Sequence, residues 1–323
     1  MNKCISLFFS ILLSLFFLSS CHEDKDEFIP DGDFEYVGNI NSLKNTLSPP
    51  YETHTLHLEN SLKTYPINHI SSLKAGAENF FNSDGEHYTG EFSFSIKHSE
   101  TTSEWIGLNY NFKTQSGYLD AHYVQKISFR DADGRHLTIN SDNPPVIRLE
   151  FDLEVKEPRI FKLESPSGMW STHSDILPFT YWEKEDANGE IVEVSGYEFE
   201  VSNKLLYAIG HEFMLEPEVK VCVQLPKGFT SSNTTTYVVF KNHNTLINLN
   251  HWDNKNKYLA CNNILKLPAN EFVDVVSISG LSGNRYFFDS RVNYLDESEE
   301  QLFDLDPVKK NLSTILNRLN LAE

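Results

Sequence analysis

The chain has 323 residues and a formal net charge of −19, with Lys+Arg 27 against Asp+Glu 46. A body this acidic repels nucleic acid and anionic lipid headgroups, which excludes a nucleic-acid partner. The length suffices for one large core or for two domains of ordinary size.

Residues 1–20 read as a targeting segment. Lys3 supplies a positive start, and Ile5 to Leu18 form a charge-free apolar run. That run is shorter than the roughly 20 apolar residues of a membrane helix and ends in small residues, the pattern of a signal peptide. Leu18-Ser19-Ser20-Cys21 resembles the bacterial lipobox. The resemblance implies diacylglyceryl transfer to the Cys21 sulfur, cleavage before it, and acylation of the new amino terminus. Several acyl chains anchor stably where one is marginal. Removing residues 1–20 takes away one Lys and no acid, so the body is one charge more negative than the whole chain.

Residues 21–33 are expected to form an acidic tether. Acids at 23, 24, 26, 27, 31 and 33 face a single Lys25, and such a segment buries too little apolar surface to fold. Acids directly after a lipidated cysteine also resemble the surface-export signal of lipoproteins from the Bacteroidota. The expected location is the outer membrane with the body facing outward; a periplasm-facing anchor is the alternative.

The body alternates with a period of two. Phe92, Phe94 and Ile96 alternate with Glu91, Ser93, Ser95 and Lys97. The same holds for Ile147, Leu149, Phe151, Leu153 and Val155, for Tyr197, Phe199 and Val201, and for Val219, Val221, Val223 and Leu225. Each run predicts a strand with one buried and one wet face. Asp84-Gly85, Asp133-Gly134, Asn188-Gly189 and Ser282-Gly283 supply turns between such runs. The predicted fold is therefore all-β: two antiparallel β-sandwich-like domains with a C-terminal α-helix. Pro158 breaks pairing after Val155, which sets the expected domains at 34–158 and 159–297. Residues 298–323 are a linker and helix, with Asp306 as N-cap, Pro307 at the first helical position, and a stripe of Val308, Leu312, Ile315, Leu316 and Leu319. Before residue 298 no stretch repeats at 3.6 over a helix length.

Ala75-Gly76-Ala77, Phe80-Phe81, Asp84-Gly85, Thr89-Gly90 and Phe92 to Phe94 follow one another in an order that resembles a ZU5-like β-domain of Bacteroidota surface proteins. The likeness continues through the Asp-x-Asp-Gly turn and closing strand up to Phe151, the Ser167-Gly168 and Trp170 hairpin, Val223 to Phe229, and the terminal helix. It covers most of residues 67–321 and implies an interaction module. One stretch departs: SNKLLYAIGHEF stands where related chains carry a Gly-Trp-x-Asn-Cys-Asp-like sequence. Some paired ZU5 domains cut themselves at His-Phe-Ser; His211-Glu212-Phe213-Met214 offers no such step.

Residue types that carry chemistry occur without the spacing it needs. Asp131-Ala132-Asp133-Gly134 opens like a calcium loop, but position twelve is Asp142 rather than Glu, so a hairpin turn is expected. His54 and His57 fall on opposite strand faces. His173-Ser174-Asp175 and His251-Trp252-Asp253 set a base near an acid, yet no GxSxG or HExxH accompanies them. No catalytic residue, metal or cofactor is expected. Cys4 leaves with the signal and Cys21 carries lipid; Cys222 and Cys261 remain in an oxidising compartment, either bridged or as two separate thiols.

Most of the 23 Phe and 14 Tyr fall on inward phases. Trp170, Tyr181-Trp182 and Trp252 lie near turns, where binding residues concentrate. Trp170 is expected to be buried; Trp182 and Trp252 are the candidate ligand contacts. The expected function is a non-enzymatic, lipid-anchored binding or structural module of the cell envelope, with a membrane contact through its lipid and a protein or glycan partner. An accessory glycan- or peptide-binding lipoprotein in nutrient capture is the alternative. An unrecognised hydrolase is a second alternative, and it requires a concave site with a perturbed acid–base pair.

Overall fold

The computed structural model describes residues 40–68, 70–151, 154–163, 168–185, 188–202, 206–214, 216–262, 266–281 and 285–320. The signal segment, Cys21 and the tether, together with Leu153, Ser167 and the Ser282-Gly283 turn, lie outside the described residues. The fold is all-β, built of mostly antiparallel sheets packed as sandwiches and ending in a helix.

The alternating runs form strands with the predicted faces inside, except that the run expected to reach Val155 is a strand only over Val146–Glu150, with Phe151 and Val155 half-buried beyond it. Phe92, Phe94, Ile96, Ile147, Leu149, Tyr197, Phe199, Val219, Val221 and Val223 are all buried. Gly85, Gly134 and Gly189 turn the chain at φ near +82°, +81° and +82°, where a side chain would be strained.

Strands are numbered in chain order. One sheet of the first sandwich runs β1 (Glu52–Leu58), β5 (Gly90–Ser99), β6 (Tyr118–Asp131), β13 (Leu206–Phe213), β9 (Arg159–Lys162), β10 (Ser171–Thr172). Its partner runs β11 (Thr180–Glu185), β12 (Ile191–Glu200), β8 (Val146–Glu150), β3 (Ser71–Ala75), β2 (Lys63–Pro66). A small ribbon joins β4 (Phe80–Phe81) to β7 (Thr138–Ile139). In the second sandwich one sheet runs β17 (His251–Trp252), β18 (Leu259–Cys261), β14 (Glu218–Gln224), β19 (Leu267–Pro268), with β22 (Glu300–Asp304) parallel to β14. The facing sheet runs β16 (Leu246–Asn248), β15 (Thr234–Phe240), β20 (Glu271–Leu281), β21 (Arg285–Leu295), β23 (Val308–Lys310).

This pairing crosses the boundary expected at Glu157-Pro158. β8, before it, pairs with β12, after it, and β6 pairs with β13. Ile160, Tyr197, Phe199, Tyr207 and Ile209 complete the same core as Phe92 and Phe94. The strand expected to reach Val155 stops at Glu150, and Pro158 stands directly before β9 rather than at a strand end, in a connection where the chain only turns a corner. Glu157 takes φ +46°, and the chain leaves one sheet to enter the other at β9. The division between sandwiches falls instead between β13 and β14.

A third core lies between the sandwiches. The outer face of the β5-β6-β13-β9 sheet brings Leu119, Ala121, Val124, Phe161 and Ala208 against Tyr237, Val239, Val276, Ile278 and Phe288 of the second sandwich. Three helices close this core: α1 (Ile40–Leu47) with Leu43 and Leu47, α2 (Thr102–Gly107) with Trp105 and Ile106, and α3 (Leu312–Asn320) with Ile315 and Leu319. Trp170 is completely buried there, stacked on Phe112 and donating its indole N–H to the Asn111 carbonyl at 3.0 Å.

The terminal helix starts later than its sequence suggests. Val308–Lys310 pair with β21 instead of opening the helix at Pro307. The free edge of β21 offers those residues ladder hydrogen bonds, which outweigh the helical preference of Pro307. Asn311 then takes the capping role expected of Asp306, its Oδ1 accepting from the Thr314 N–H at 2.8 Å.

Candidate functional site: a junction cluster and an exposed hairpin

Strand β6 is covered on both faces, and a bulge makes this possible. Ile209 pairs with Tyr123 and Gly210 with Ala121, which leaves His122 as the extra residue. Leu119 and Ala121 therefore face the junction core, whereas Tyr123, Ile127 and Phe129 face the first sandwich. A bulge shifts the two-residue phase in this way. Gly210 is required opposite it, because a Cβ there would lie 2.1 Å from the Asp120 carbonyl oxygen.

The shifted strand delivers Asp120 to the turn at 241–245. Asp120, only 7% exposed, lies with Oδ2 3.1 Å from His243 Nδ1 and accepts the Asn244 N–H on Oδ1 at 3.0 Å. His211 Nε2 lies 3.8 Å from Oδ2, and His122 stacks on His211 at 5.9 Å between ring centroids. The far side of His243 faces Glu271, with Nε2 to Oε1 at 3.8 Å, and Phe213 stacks on its ring at 4.1 Å. Backbone bonds seat the same turn: Ala121 N–H donates to the Asn244 carbonyl at 3.0 Å, and Thr245 Oγ1 donates to the Leu119 carbonyl at 2.6 Å.

Burial opposes the charge on Asp120, yet the hydrogen bonds from His243 and Asn244 and the nearby His122 and His211 hold its carboxyl below the usual range. The bond to Asp120 raises His243 against its own burial, with Glu271 adding to the rise. Burial lowers His122 despite the attraction of Asp120. Two imidazoles of one cluster are thus pushed in opposite directions. Among the described residues, no group of three or more His, Cys, Asp or Glu side chains is arranged to hold a metal ion.

The second feature is the hairpin of β11 and β12 at the edge of the first sandwich. Tyr181 pairs with Ser195, Trp182 with Val194, and Glu183 with Glu193. Trp182 is half-buried on the outward face; the Arg148 guanidinium sits 5.4 Å from its ring and is itself paired with Glu198. Lys184 bonds Glu150 on the same face at 2.6 Å. Tyr181 is 66% exposed and borders a groove of about 250 Å³ lined by Glu150, Phe151, Glu193, Val194 and Ser195. Behind it, edge-on contacts run from Tyr181 through Phe179, Tyr197 and Phe151 to Tyr123, at 5.7, 5.3, 5.3 and 6.2 Å. The exposed ring thus sits on a packed aromatic ladder.

Other residues singled out by sequence have structural partners. Trp252 is half-buried on β17 and packs on the core of the second sandwich. Cys222 and Cys261 face each other across β14 and β18 and form a disulfide. Asp131 accepts the N–H groups of Asp133 and Arg135 and the Arg135 Nε, making a capped hairpin turn. Asp253 accepts the N–H groups of Lys255 and Asn256 at 2.7 and 2.6 Å. His173 shares a cavity of about 140 Å³ with Glu200 and Ser202, where the Tyr207 hydroxyl donates to the Ser202 carbonyl and accepts the Ser202 N–H.

The junction cluster escaped sequence reasoning because its members stand at 120, 122, 211, 243 and 271. One local signal pointed to it: Tyr123-Val124, two apolar neighbours that break the alternation of β6.

No family model matches the chain, and no curated protein matches it. Among solved structures the chain is similar to the Bacillus anthracis TIE protein, at 10% identity and a TM-score of 0.18 over 78% of this chain and 58% of that one. The chain therefore spans little more than half of that structure's length, and at this TM-score the likeness carries no argument.

Proposed function

We propose that the protein is a non-enzymatic, lipid-anchored module of the cell envelope that binds a partner through the β11–β12 hairpin. The observation that carries this reading is Tyr181, a large ring left 66% exposed above a groove yet backed by a packed aromatic ladder. A rigid, amphipathic ring of this kind contributes contact area at little entropic cost. The anchor reading rests on the Leu18-Ser19-Ser20-Cys21 sequence, and outward display on the acids that follow it. Asp131 and Asp253, two of the acids in the motifs singled out by sequence, serve as turn caps, which favours a binding role for those segments.

The alternative, capture of a glycan or peptide as nutrient, is favoured by the lining of the groove. Glu193 and Ser195 set polar groups beside Tyr181 and Phe151, and polar groups converging on aromatic walls suit a small polar ligand. Binding to a panel of envelope polysaccharides and peptides, compared between the wild-type protein and Tyr181→Ala, tests the site. Equal binding by both would remove the hairpin from the proposal. The anchor is tested separately: Cys21→Ser should abolish lipidation and membrane partition, and retention of the serine variant through salt and carbonate washing would contradict the lipobox reading.

A further inference from the structure

The junction cluster sits where the sandwiches meet, and its geometry points to regulation rather than binding. His243 belongs to the second sandwich, and its ring lies between that sandwich's own Glu271 and Asp120 of the first. We propose that the 241–245 turn is a pH-sensitive latch between the two sandwiches, with His243 carrying the proton that closes it.

Among the described residues, the charged and titratable groups around His243 are few. Asp120 from β6 and Glu271 from β20 act on His243 directly; His122 on β6 and His211 on β13 act on Asp120, and Lys241 of the turn lines the same small cavity as His243. α2 reaches the small cavity beside the turn only with the uncharged Thr102 and Trp105. Protonated His243 therefore meets two carboxylates, one from each sandwich, while Phe213 covers its face. Neutral His243 can keep one hydrogen bond to Asp120 but loses the attraction to both charges. The apolar junction core holds the sandwiches together in either state, so the latch governs the rim and its backbone bonds to Leu119 and Ala121.

His243 is raised above 6.5, so its contribution is complete below the unfolded value and is lost as pH rises through the folded one. His122 is lowered from 6.5, so protonating it costs stability as pH falls below the unfolded value. Asp120 is lowered from 3.8, and its contribution is lost only in stronger acid. The latch is closed in the window between the lowered value of His122 and the raised value of His243.

Amide hydrogen exchange on the full-length protein tests this. After correction for intrinsic exchange, opening of residues 119–122 and 241–245 should increase from pH 6 to pH 8.5. The increase is up to about tenfold for each unit by which folded His243 exceeds its unfolded value. His243→Gln, which keeps a hydrogen-bonding side chain but cannot titrate, should flatten that dependence, and Glu271→Gln should move its midpoint to lower pH. A flat wild-type profile, or an unchanged pH step in His243→Gln, would overturn the latch. Should the glutamine variant fold poorly, the imidazole resonances of the wild-type protein decide: a His243 midpoint above 6.5 supports the latch, and one at or below 6.5 rejects it.

Discussion

The junction core and the β11–β12 hairpin are built from similar residues and solve opposite problems. At the junction, Trp170, Trp105 and Tyr237 are enclosed by two sheets and three helices, and the buried carboxylate is surrounded by donors. On the hairpin, Tyr181 and Trp182 stand on an edge strand with water on one side, and the nearby charges pair across the surface. Burial at the junction makes each aromatic group part of the stability of the whole molecule. Exposure on the hairpin leaves its rings available to something else. The contrast teaches that a tryptophan near a turn acquires its role from the number of layers over it, not from the turn.

Substitutions can break this contrast, and the largest effect is expected at the junction. Trp170→Ala should lower unfolding free energy by about 3–5 kcal/mol, the range for truncating a buried aromatic, read by denaturant or thermal unfolding. A loss below about 1 kcal/mol would mean that the site tolerates a cavity and is not the shared core described here. Trp182→Ala removes a stacked guanidinium contact and partial burial, so a cost of about 0.5–1 kcal/mol is expected, with the difference from Trp182→Phe reporting how much is ring packing. Tyr181→Ala should change stability by no more than about 0.5 kcal/mol, as at ordinary surface positions. A larger loss would make the ring part of the ladder's packing and erase its distinction from Trp170.

Much of the fold was legible because alternation and Asx-Gly turns are local signals. β5, β12 and β14 formed with the predicted residues inside, and Asp131 caps the hairpin turn expected there. A local break in pairing is not a domain boundary. Pro158 lies in the connection between β8 and β9, and only long-range pairing of β8 with β12 reveals that the first sandwich continues to Phe213. The six residues of α2 are too few for a periodic pattern, although Thr101 and Glu104 carried its capping box, with Glu104 Oε2 accepting from the Thr101 N–H at 3.2 Å. The hairpin was partly legible as well. Its Asn188-Gly189 turn was a local signal, and Gly189 takes φ +82° between β11 and β12. The junction cluster was not, because a bulge and a distant turn assemble it.

The central claim, that the hairpin is a contact surface on an anchored protein, is tested most directly by site-specific photocrosslinking on intact cells. A photoreactive residue at position 183, beside Tyr181 on β11, should give discrete adducts with an envelope component. Those adducts should disappear when Tyr181→Ala is added, while lipidation and melting temperature stay unchanged. The same reagent at the exposed Glu297, on the second sandwich, should give none of them. Adducts that persist in Tyr181→Ala, or that form equally from position 297, would contradict the claim.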